Sequence, residues 1–166
     1  PPIGWDDNYG ARIGIMPRMG TDKDVRWFNI DPCYVFHPLN AYVDGDEVIC
    51  DVGRHESMWR GSMDSFEPCY MYRWSFNMKT GAVRETQVDD WAHAFLRVDD
   101  RVIGLKHRYG WVAGSRPGAT GEMGEPGVVA RYDMSNGSKT IHDLGPNAHP
   151  GEFVFVQDSA SANEDE

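Results

Sequence analysis

The sequence is poor in cysteine and in basic residues, and it contains no long apolar run. Only three cysteines occur among 166 residues, none in a C-x-x-C pair, which excludes a disulfide scaffold and thiolate-based zinc or redox motifs. Sixteen basic residues stand against 26 acidic ones, and this net charge of −10 argues against a nucleic-acid partner. No apolar stretch approaches the roughly 18 residues that span a bilayer. Because no secretion signal is evident either, we expect a cytoplasmic protein.

The sequence also lacks the spacing of apolar residues that is typical of amphipathic helices. Short runs rich in Val, Ile, Phe, Tyr and Trp recur instead, bounded by Gly, Asp, Asn and Pro, and such runs are typical of strands. We predict strands at residues 12–17, 25–31, 33–36, 47–52, 69–76, 83–88, 101–105, 109–113, 128–133, 138–143 and 153–156. The predicted fold class is therefore all-β.

Two hairpin turns can be predicted from their residues. Asn77 is followed by Gly81, and Asp133 is followed by Gly137, each between two predicted strands. An Asn or Asp side chain accepts hydrogen bonds from its own turn, and glycine supplies the positive φ at the turn exit.

An aromatic residue marks a loose repeat along the chain. Trp27, Trp74 and Tyr132 follow a basic residue within predicted strands, at intervals of 47 and 58 residues. Repeats of about 40–50 residues with several strands each are typical of β-propeller blades. At about four strands per blade, residues 1–166 supply roughly three to four blades, whereas closed rings have four to eight. We therefore expect one partial propeller, with residues 159–166 as an acidic tail or truncated loop.

The six histidines include no H-x-x-x-H or H-x-x-E pair, so no local metal motif is present. A metal on a propeller axis would instead take one ligand from each of several strands. His37 is the best candidate, because it follows the apolar run 33–36 and precedes Pro38; the alternative is a structural histidine. Four others lie next to charges and are expected to face solvent, and the last belongs to a turn: His55, His93, His107, His142 and His149.

Glu152 is the most informative carboxylate, because it directly precedes the apolar residues 153–156. Such a residue either caps a strand edge or orients a metal-binding histidine from the outer coordination sphere of the metal. The glycine-rich segment 118–127, with Glu122 and Glu125, lacks the G-x-x-x-x-G-K-[ST] pattern and is predicted to be a flexible loop.

Four longer sequence motifs lie between about residue 10 and the end of the chain. They are R-I-G-I-M-P-R at 12–18, F-H-P-L-N-A-Y at 36–42, F-L-R-V-D-D-R at 95–101 and G-E-F-V-F-V at 151–156. In this order and spacing they resemble the carotenoid cleavage oxygenase family, which includes the lignostilbene dioxygenases of bacteria. The resemblance implies a seven-bladed β-propeller with one Fe(II) on its axis, held by four histidines and oriented by glutamates. His37 matches the third iron ligand, and Glu152 matches one of those glutamates.

The implied reaction cleaves a C=C bond of a carotenoid, apocarotenoid or stilbene with O2 into two carbonyl products. The implied partners are a hydrophobic alkene and O2, with peripheral membrane contact through parts outside this chain. The resemblance places the other three iron ligands before residue 1 or after residue 166, so the chain alone is expected to be inactive.

Two positions depart from the family pattern. Ala94 stands where a glutamate is usual, and Val43 where an acid is common. A missing outer carboxylate should weaken iron binding about 10–100-fold. Two alternatives therefore stay open: a non-catalytic propeller interaction module or inactive family member, and a small four-bladed hydrolase or lectin.

Overall fold

A computed structural model of the chain describes residues 4–62, 67–116 and 127–164. These residues form ten strands: β1 (Ala11–Ile15), β2 (Arg26–Ile30), β3 (Tyr34–Asp44), β4 (Glu47–His55), β5 (Cys69–Asn77), β6 (Val83–Gln87), β7 (His93–Arg97), β8 (Tyr109–Ser115), β9 (Gly127–Asp133) and β10 (Ser138–Asp143). Two short 3-10 helices cover Asp22–Asp24 and Asp100–Val102. The all-β prediction is confirmed. The predicted flexible loop, with Glu122 and Glu125, lies outside the described residues.

The strands form three antiparallel sheets, in which neighbours in sequence are neighbours in space. β1 and β2 form a hairpin, β3-β4-β5-β6 form sheet 1, and β10-β9-β8-β7 form sheet 2. A meander of four antiparallel strands is the unit from which propeller blades are built. The count of three to four blades in a larger ring stays a prediction.

Both predicted hairpin turns are confirmed. The side-chain oxygen of Asn77 accepts a hydrogen bond from the backbone N–H of Thr80 at 2.8 Å, and Gly81 has φ +82°. The turn that joins β9 to β10 repeats this arrangement, with Asp133 at its start and Gly137 at φ +74°. Local side-chain chemistry therefore determines where each sheet turns into its fourth strand.

The aromatic repeat holds for the two four-stranded sheets. Trp74 on β5 and Tyr132 on β9 occupy the third strand of their sheets, and both side chains are buried. Trp27 lies on the hairpin instead, more than half exposed, with the guanidinium of Arg12 above its ring at 4.4 Å.

Sheet 1 lies between the hairpin and sheet 2, and both of its faces are buried. On one face, Val52, Trp74 and Phe76 pack against Phe28 of β2. On the other face, side chains of sheets 1 and 2 form the second cluster: Leu39, Met71, Leu96, Val98, Val112, Ala130, Tyr132 and Met134. Successive residues of β5 therefore serve two different cores, as the alternation of side chains along a strand requires.

Two predicted strands are wrong. Residues 101–105 contain part of a 3-10 helix and a turn, because the Asp99 side chain caps the helix and Gly104 takes φ +80°. Residues 153–156 keep the alternating burial of a strand, and Phe155 packs on Trp111 at 4.7 Å, but they pair with no strand among the described residues. Alternating burial shows only that one face of a segment packs against the protein, whereas a β-strand also needs a neighbouring strand to which its backbone can hydrogen-bond.

Sequence patterning also missed β7, because an irregularity within this strand interrupts its alternation. Neither 3-10 helix of the described residues is long or apolar enough to cross a lipid bilayer.

Candidate functional site

The sequence predicted a strand that ends at residue 36, directly before His37. This boundary is wrong, because β3 continues to Asp44 and His37 lies within it. The pairing of β3 with β4 shifts register twice, on either side of Pro38. Proline has no N–H to donate to the ladder, and such irregularities bend a strand and redirect its side chains. The half-buried imidazole of His37 is therefore presented by a bulged segment and not by a regular ladder.

The structure brings both sequence-predicted site residues to one cleft of about 480 Å³, although they lie far apart in the chain. His37, Leu39 and Leu96 line the cleft together with Arg97 and Glu152. Leucine side chains supply apolar walls, and the polar side chains supply charge at one place. This is the usual composition of a small-molecule site.

Glu152 is held by an arginine. Its Oε1 accepts a hydrogen bond from Nη1 of Arg97 at 3.1 Å, and Nη2 of Arg97 lies 3.3 Å from a carboxylate oxygen of Asp100. Arg97 thus bridges two carboxylates that line the cleft, and its single positive charge offsets only part of their charge. The sequence analysis did not single out Arg97, although the motif at residues 95–101 contains it.

Two aromatic rings flank His37. The ring centroid of Phe95 on β7 lies 5.5 Å from that of the imidazole, and the ring of Phe36 lies at 6.2 Å. Phe36 also contacts Tyr34 and Trp59, so the aromatic side chains continue along one side of the site.

The Asn40 side chain connects β3 to the segment before β8. Its Nδ2 lies 3.1 Å from the carbonyl oxygen of residue 102 and 3.0 Å from that of residue 105, and its Oδ1 accepts a hydrogen bond from the N–H of residue 104 at 2.9 Å.

A buried ion pair lies beside this junction. Asp51 is completely buried, and its two carboxylate oxygens accept hydrogen bonds at 2.7 Å and 2.9 Å from Arg73 on the neighbouring strand β5. The carboxylate raises the pKa of the Arg73 guanidinium. A charged residue inside an apolar strand, at a position that alternation places inward, was the signal that could have revealed this pair.

His107 extends the same network and contradicts the prediction that it faces solvent. It is only 6% exposed, and its Nδ1 lies 3.1 Å from Nδ2 of Asn40. Because the amide nitrogen is a donor, Nδ1 accepts, and the proton lies on Nε2, 3.5 Å from Asp51. Burial lowers the pKa of His107, so the imidazole is neutral in the folded protein at neutral pH.

His93 is likewise buried, at 5% exposure, and the solvent-facing prediction is wrong for it too. Its Nδ1 donates to the carbonyl oxygen of Trp91 at 2.9 Å, and its ring stacks on the indole of that residue. Burial lowers the pKa of His93 to about 4. The burial of both histidines was missed because it depends on residues far away in sequence: Tyr132 lies beside His93, and Asp51 lies beside His107.

The remaining histidines behave differently from one another. His55 is half buried, donates from Nδ1 to the carbonyl oxygen of Glu67 at 2.6 Å, and has a pKa lowered by burial. His142 is exposed, as predicted, and His149, which was predicted to belong to a turn, is exposed just after the turn at residues 146–147. All three cysteines are free thiols that pack in or against the core, and burial raises the pKa of Cys50 and Cys69 to about 12, so these two thiols are unreactive.

The donor chemistry of the cleft fits one position of a histidine-coordinated metal. In residues 4–62, 67–116 and 127–164, no hydrogen bond engages a ring nitrogen of His37, and the Glu152 carboxylate lines the same cleft. Neutral imidazole is a ligand that Fe(II) accepts. The described part of the chain contains no group of three or more His, Cys, Asp or Glu side chains that could hold a metal ion.

The sequence matches the family model of the retinal pigment epithelial membrane protein over residues 1–166. A carotenoid cleavage oxygenase of Mycobacterium tuberculosis is 38% identical over 177 aligned residues, which cover 99% of this chain and 35% of the relative. A carotenoid 9,10(9',10')-cleavage dioxygenase of Crocus sativus is 31% identical, with 92% and 31% covered.

The solved structure of cobalt-substituted Synechocystis ACO superposes with a TM-score of 0.83 at 19% sequence identity, covering 94% of this chain and 34% of that one. This likeness confirms the expected propeller-type architecture of blade-like sheets. The chain spans about a third of the length of the curated relatives it matches.

Proposed function

We propose an oxygenase function for this chain, because the chain belongs to the retinal pigment epithelial membrane protein family, in which its matched relatives are carotenoid cleavage oxygenases. Oxidative carotenoid cleavage is the chemistry that these relatives have in common. We propose more specifically an Fe(II)-dependent dioxygenase that cleaves a C=C bond of a carotenoid, apocarotenoid or stilbene with O2, yielding two carbonyl products.

One observation carries this proposal: His37 and Glu152 converge on one cleft with apolar walls. His37 would be one ligand of the metal, and Glu152 would support the site from the outer sphere. Fe(II), when bound, supplies the redox chemistry that activates O2 toward an alkene. The other ligands would come from residues outside the described ranges.

The remaining residues of the cleft bind and orient the substrate. Ile103, which lines the cleft and is 62% exposed, would bury apolar surface of the alkene and exclude water from it, and such burial is the main source of affinity for a hydrophobic ligand. Arg97 pairs with both Glu152 and Asp100 and would hold the Glu152 carboxylate beside an apolar ligand. We further propose a cytoplasmic location, with peripheral membrane contact made by other parts of the protein.

Metal analysis of the full-length protein tests the assignment. We expect one iron per polypeptide, loss of that iron in His37→Ala, and no loss in the matched control His142→Ala, whose imidazole is exposed on β10. Glu152→Gln should weaken iron binding about 10–100-fold, as removal of outer-sphere partners does in other metal sites.

Activity is measured separately, by following labelled O2 into the carbonyl products of carotenoid, apocarotenoid and stilbene substrates. A full-length protein without iron, or one whose iron content is unchanged by His37→Ala, contradicts the proposal. A folded, iron-free protein favours the non-catalytic interaction module.

A further inference from the structure

Phe95 has an unusual backbone conformation next to the proposed metal ligand. Its φ is +53°, in the left-handed region that side-chain-bearing residues rarely adopt. Among the described residues, only Trp59 shares this property, with φ +55°. A bulky residue in this region is strained, and strain of this kind persists only where surrounding structure enforces it.

A bulge in β7 accounts for this conformation. Ala94 pairs with Ala113 and Arg97 pairs with Trp111, so two residues of β7 oppose one residue of β8. A bulge residue with left-handed φ is usually glycine, since glycine has no Cβ to strain. This chain has a phenylalanine there. The ring is therefore the feature that distinguishes this position from an ordinary bulge.

The ring of Phe95 contacts His37. The two ring centroids are 5.5 Å apart with an interplanar angle of 56°, which is a favourable tilted arrangement of aromatic rings. Two residues further along, Arg97 leaves the same bulge and holds Glu152 at 3.1 Å. One irregular segment of β7 therefore reaches both proposed site residues.

The position before Phe95 is also informative. A histidine that binds a metal is normally fixed by a carboxylate or carbonyl that accepts its second N–H. No such acceptor engages His37 in the described residues, and the residue that precedes Phe95 is Ala94. Within the described residues, the imidazole plane is then held by aromatic contacts, of which Phe95 at 5.5 Å is nearer than Phe36 at 6.2 Å.

We propose that Phe95 is a positioning residue for His37: the bulge of β7 turns its ring against the imidazole and sets the orientation in which His37 meets the metal. The inference rests on the proposed function, because it assumes that His37 binds the metal. It concerns the orientation of a ligand and not contact with the substrate.

Cobalt titration of the full-length protein tests this inference with a readout other than turnover. The iron is removed by chelation, Co(II) is added, and affinity and coordination are read from visible absorption. Phe95→Leu, which removes the ring, should weaken Co(II) binding about tenfold or more and alter the absorption bands. Phe95→Tyr keeps the ring and should retain the wild-type affinity and spectrum. Trp27→Leu, which removes an exposed aromatic ring from the hairpin of β1 and β2, should also leave both unchanged.

Phe95→Gly separates positioning from stability. It removes the ring but relieves the strained φ, so its thermal unfolding midpoint should equal or exceed that of Phe95→Leu, while Co(II) binding stays equally weak. It also provides a folded variant if Phe95→Leu does not fold. Wild-type affinity in both variants, or an affinity that follows the unfolding midpoint, overturns the inference.

The same titration distinguishes this inference from the proposed function. If the wild-type protein binds no Co(II), or if His37→Ala binds it as tightly as wild type, the proposed function fails and the inference with it. If His37→Ala loses the metal while the Phe95 variants keep it, the positioning role of Phe95 alone is wrong.

Discussion

Asp51 and Arg73 are an example of charges that the fold places in its interior. The carboxylate is completely buried and lies against Arg73 and His107. Taking a charge out of water is expensive, and the pair offsets that cost only while both partners are present. The pair is therefore more sensitive to the loss of one partner than its two hydrogen bonds alone suggest.

Asp51→Asn should lower the free energy of unfolding by about 3 kcal/mol, because Arg73 then stays half buried without a counter-charge. Urea unfolding followed by circular dichroism measures this loss. Glu47→Gln is the matched control, since Glu47 meets Arg84 at 3.4 Å on the protein surface, where an ion pair contributes less than about 1 kcal/mol. Equal losses in the two variants would show that burial does not set the energy of the Asp51 pair.

The buried His93 makes folding stability dependent on pH. Burial lowers its pKa from 6.5 to about 4, so the unfolded chain binds the proton more readily than the folded protein does. Its stabilising contribution is complete above pH 6.5 and is lost as the pH falls through 4. Its full size is about 3 kcal/mol, the free energy of the pKa difference.

His93→Gln should remove this dependence. Between pH 6.5 and pH 4, the wild-type protein should lose about 3 kcal/mol more unfolding free energy than the variant does. Urea unfolding at several pH values provides the comparison. His142→Gln, which changes an exposed histidine, should follow the wild-type curve. A His93→Gln curve parallel to that of wild type would mean that His93 is not protonated on unfolding in this range.

At the scale of the strands, small residues determine how closely the sheets approach one another. A Cβ atom built on Gly110 of β8 would lie 2.7 Å from Cδ2 of Leu39 on β3. The Leu39 side chain of β3 thus packs directly on the backbone of β8, at a residue without a side chain, and Leu39 also lines the cleft that contains His37. Strand patterning placed Gly110 within a strand but could not reveal this contact, because Leu39 lies about 70 residues away in sequence.

Gly110→Ala should destabilise the protein by about 1–3 kcal/mol, the usual cost of overpacking a filled core. A second change, Leu39→Ala, makes room for the new methyl group, so the double variant should be more stable than the sum of the two single effects predicts. Chemical denaturation of all four proteins gives the coupling energy. Gly151→Ala is the control, because its Cβ would meet nothing within 4 Å. Additive effects would show that the two residues do not compete for space.

The strands themselves were largely predictable, and the irregular ones were not. Nine of the eleven predicted runs are strands, because alternation and turn residues are local properties of the chain. The 3-10 helix near Asp99 and the bulge at Phe95 depend instead on partners elsewhere. His37 lies within β3 and not directly after a strand, because β3 continues to Asp44, and its role as a metal ligand stays a prediction.

For the molecule as a whole, sheet 1 is the element that joins the two cores. Met71 contributes to the core shared with sheet 2, and Trp74, three residues later on β5, contributes to the core shared with the hairpin. Since one strand carries side chains into both cores, neither core can lose its packing without disturbing β5. We therefore expect the described sheets to unfold together.

Met71→Ala and Trp74→Ala should each lower unfolding free energy by about 3–5 kcal/mol and leave a single transition. Coincident curves from far-ultraviolet circular dichroism and tryptophan fluorescence would demonstrate that transition. Exposed Met19 provides a control, and Met19→Ala should change little. Two separate transitions in either core variant would show that the hairpin and sheet 2 fold independently of each other.

The sequence by itself determined the all-β class and both Asx–glycine turns, and it singled out His37 and Glu152, which both line one cleft. These features follow from the alternation of apolar and polar residues, from the positive φ that glycine permits, and from sequence motifs that occur in the order typical of the family. The tertiary structure decided which charges and imidazoles are buried, where β7 bulges and which ring contacts His37. Those outcomes depend on sheets packing face to face, and the partners that bury a residue there lie far from it in sequence.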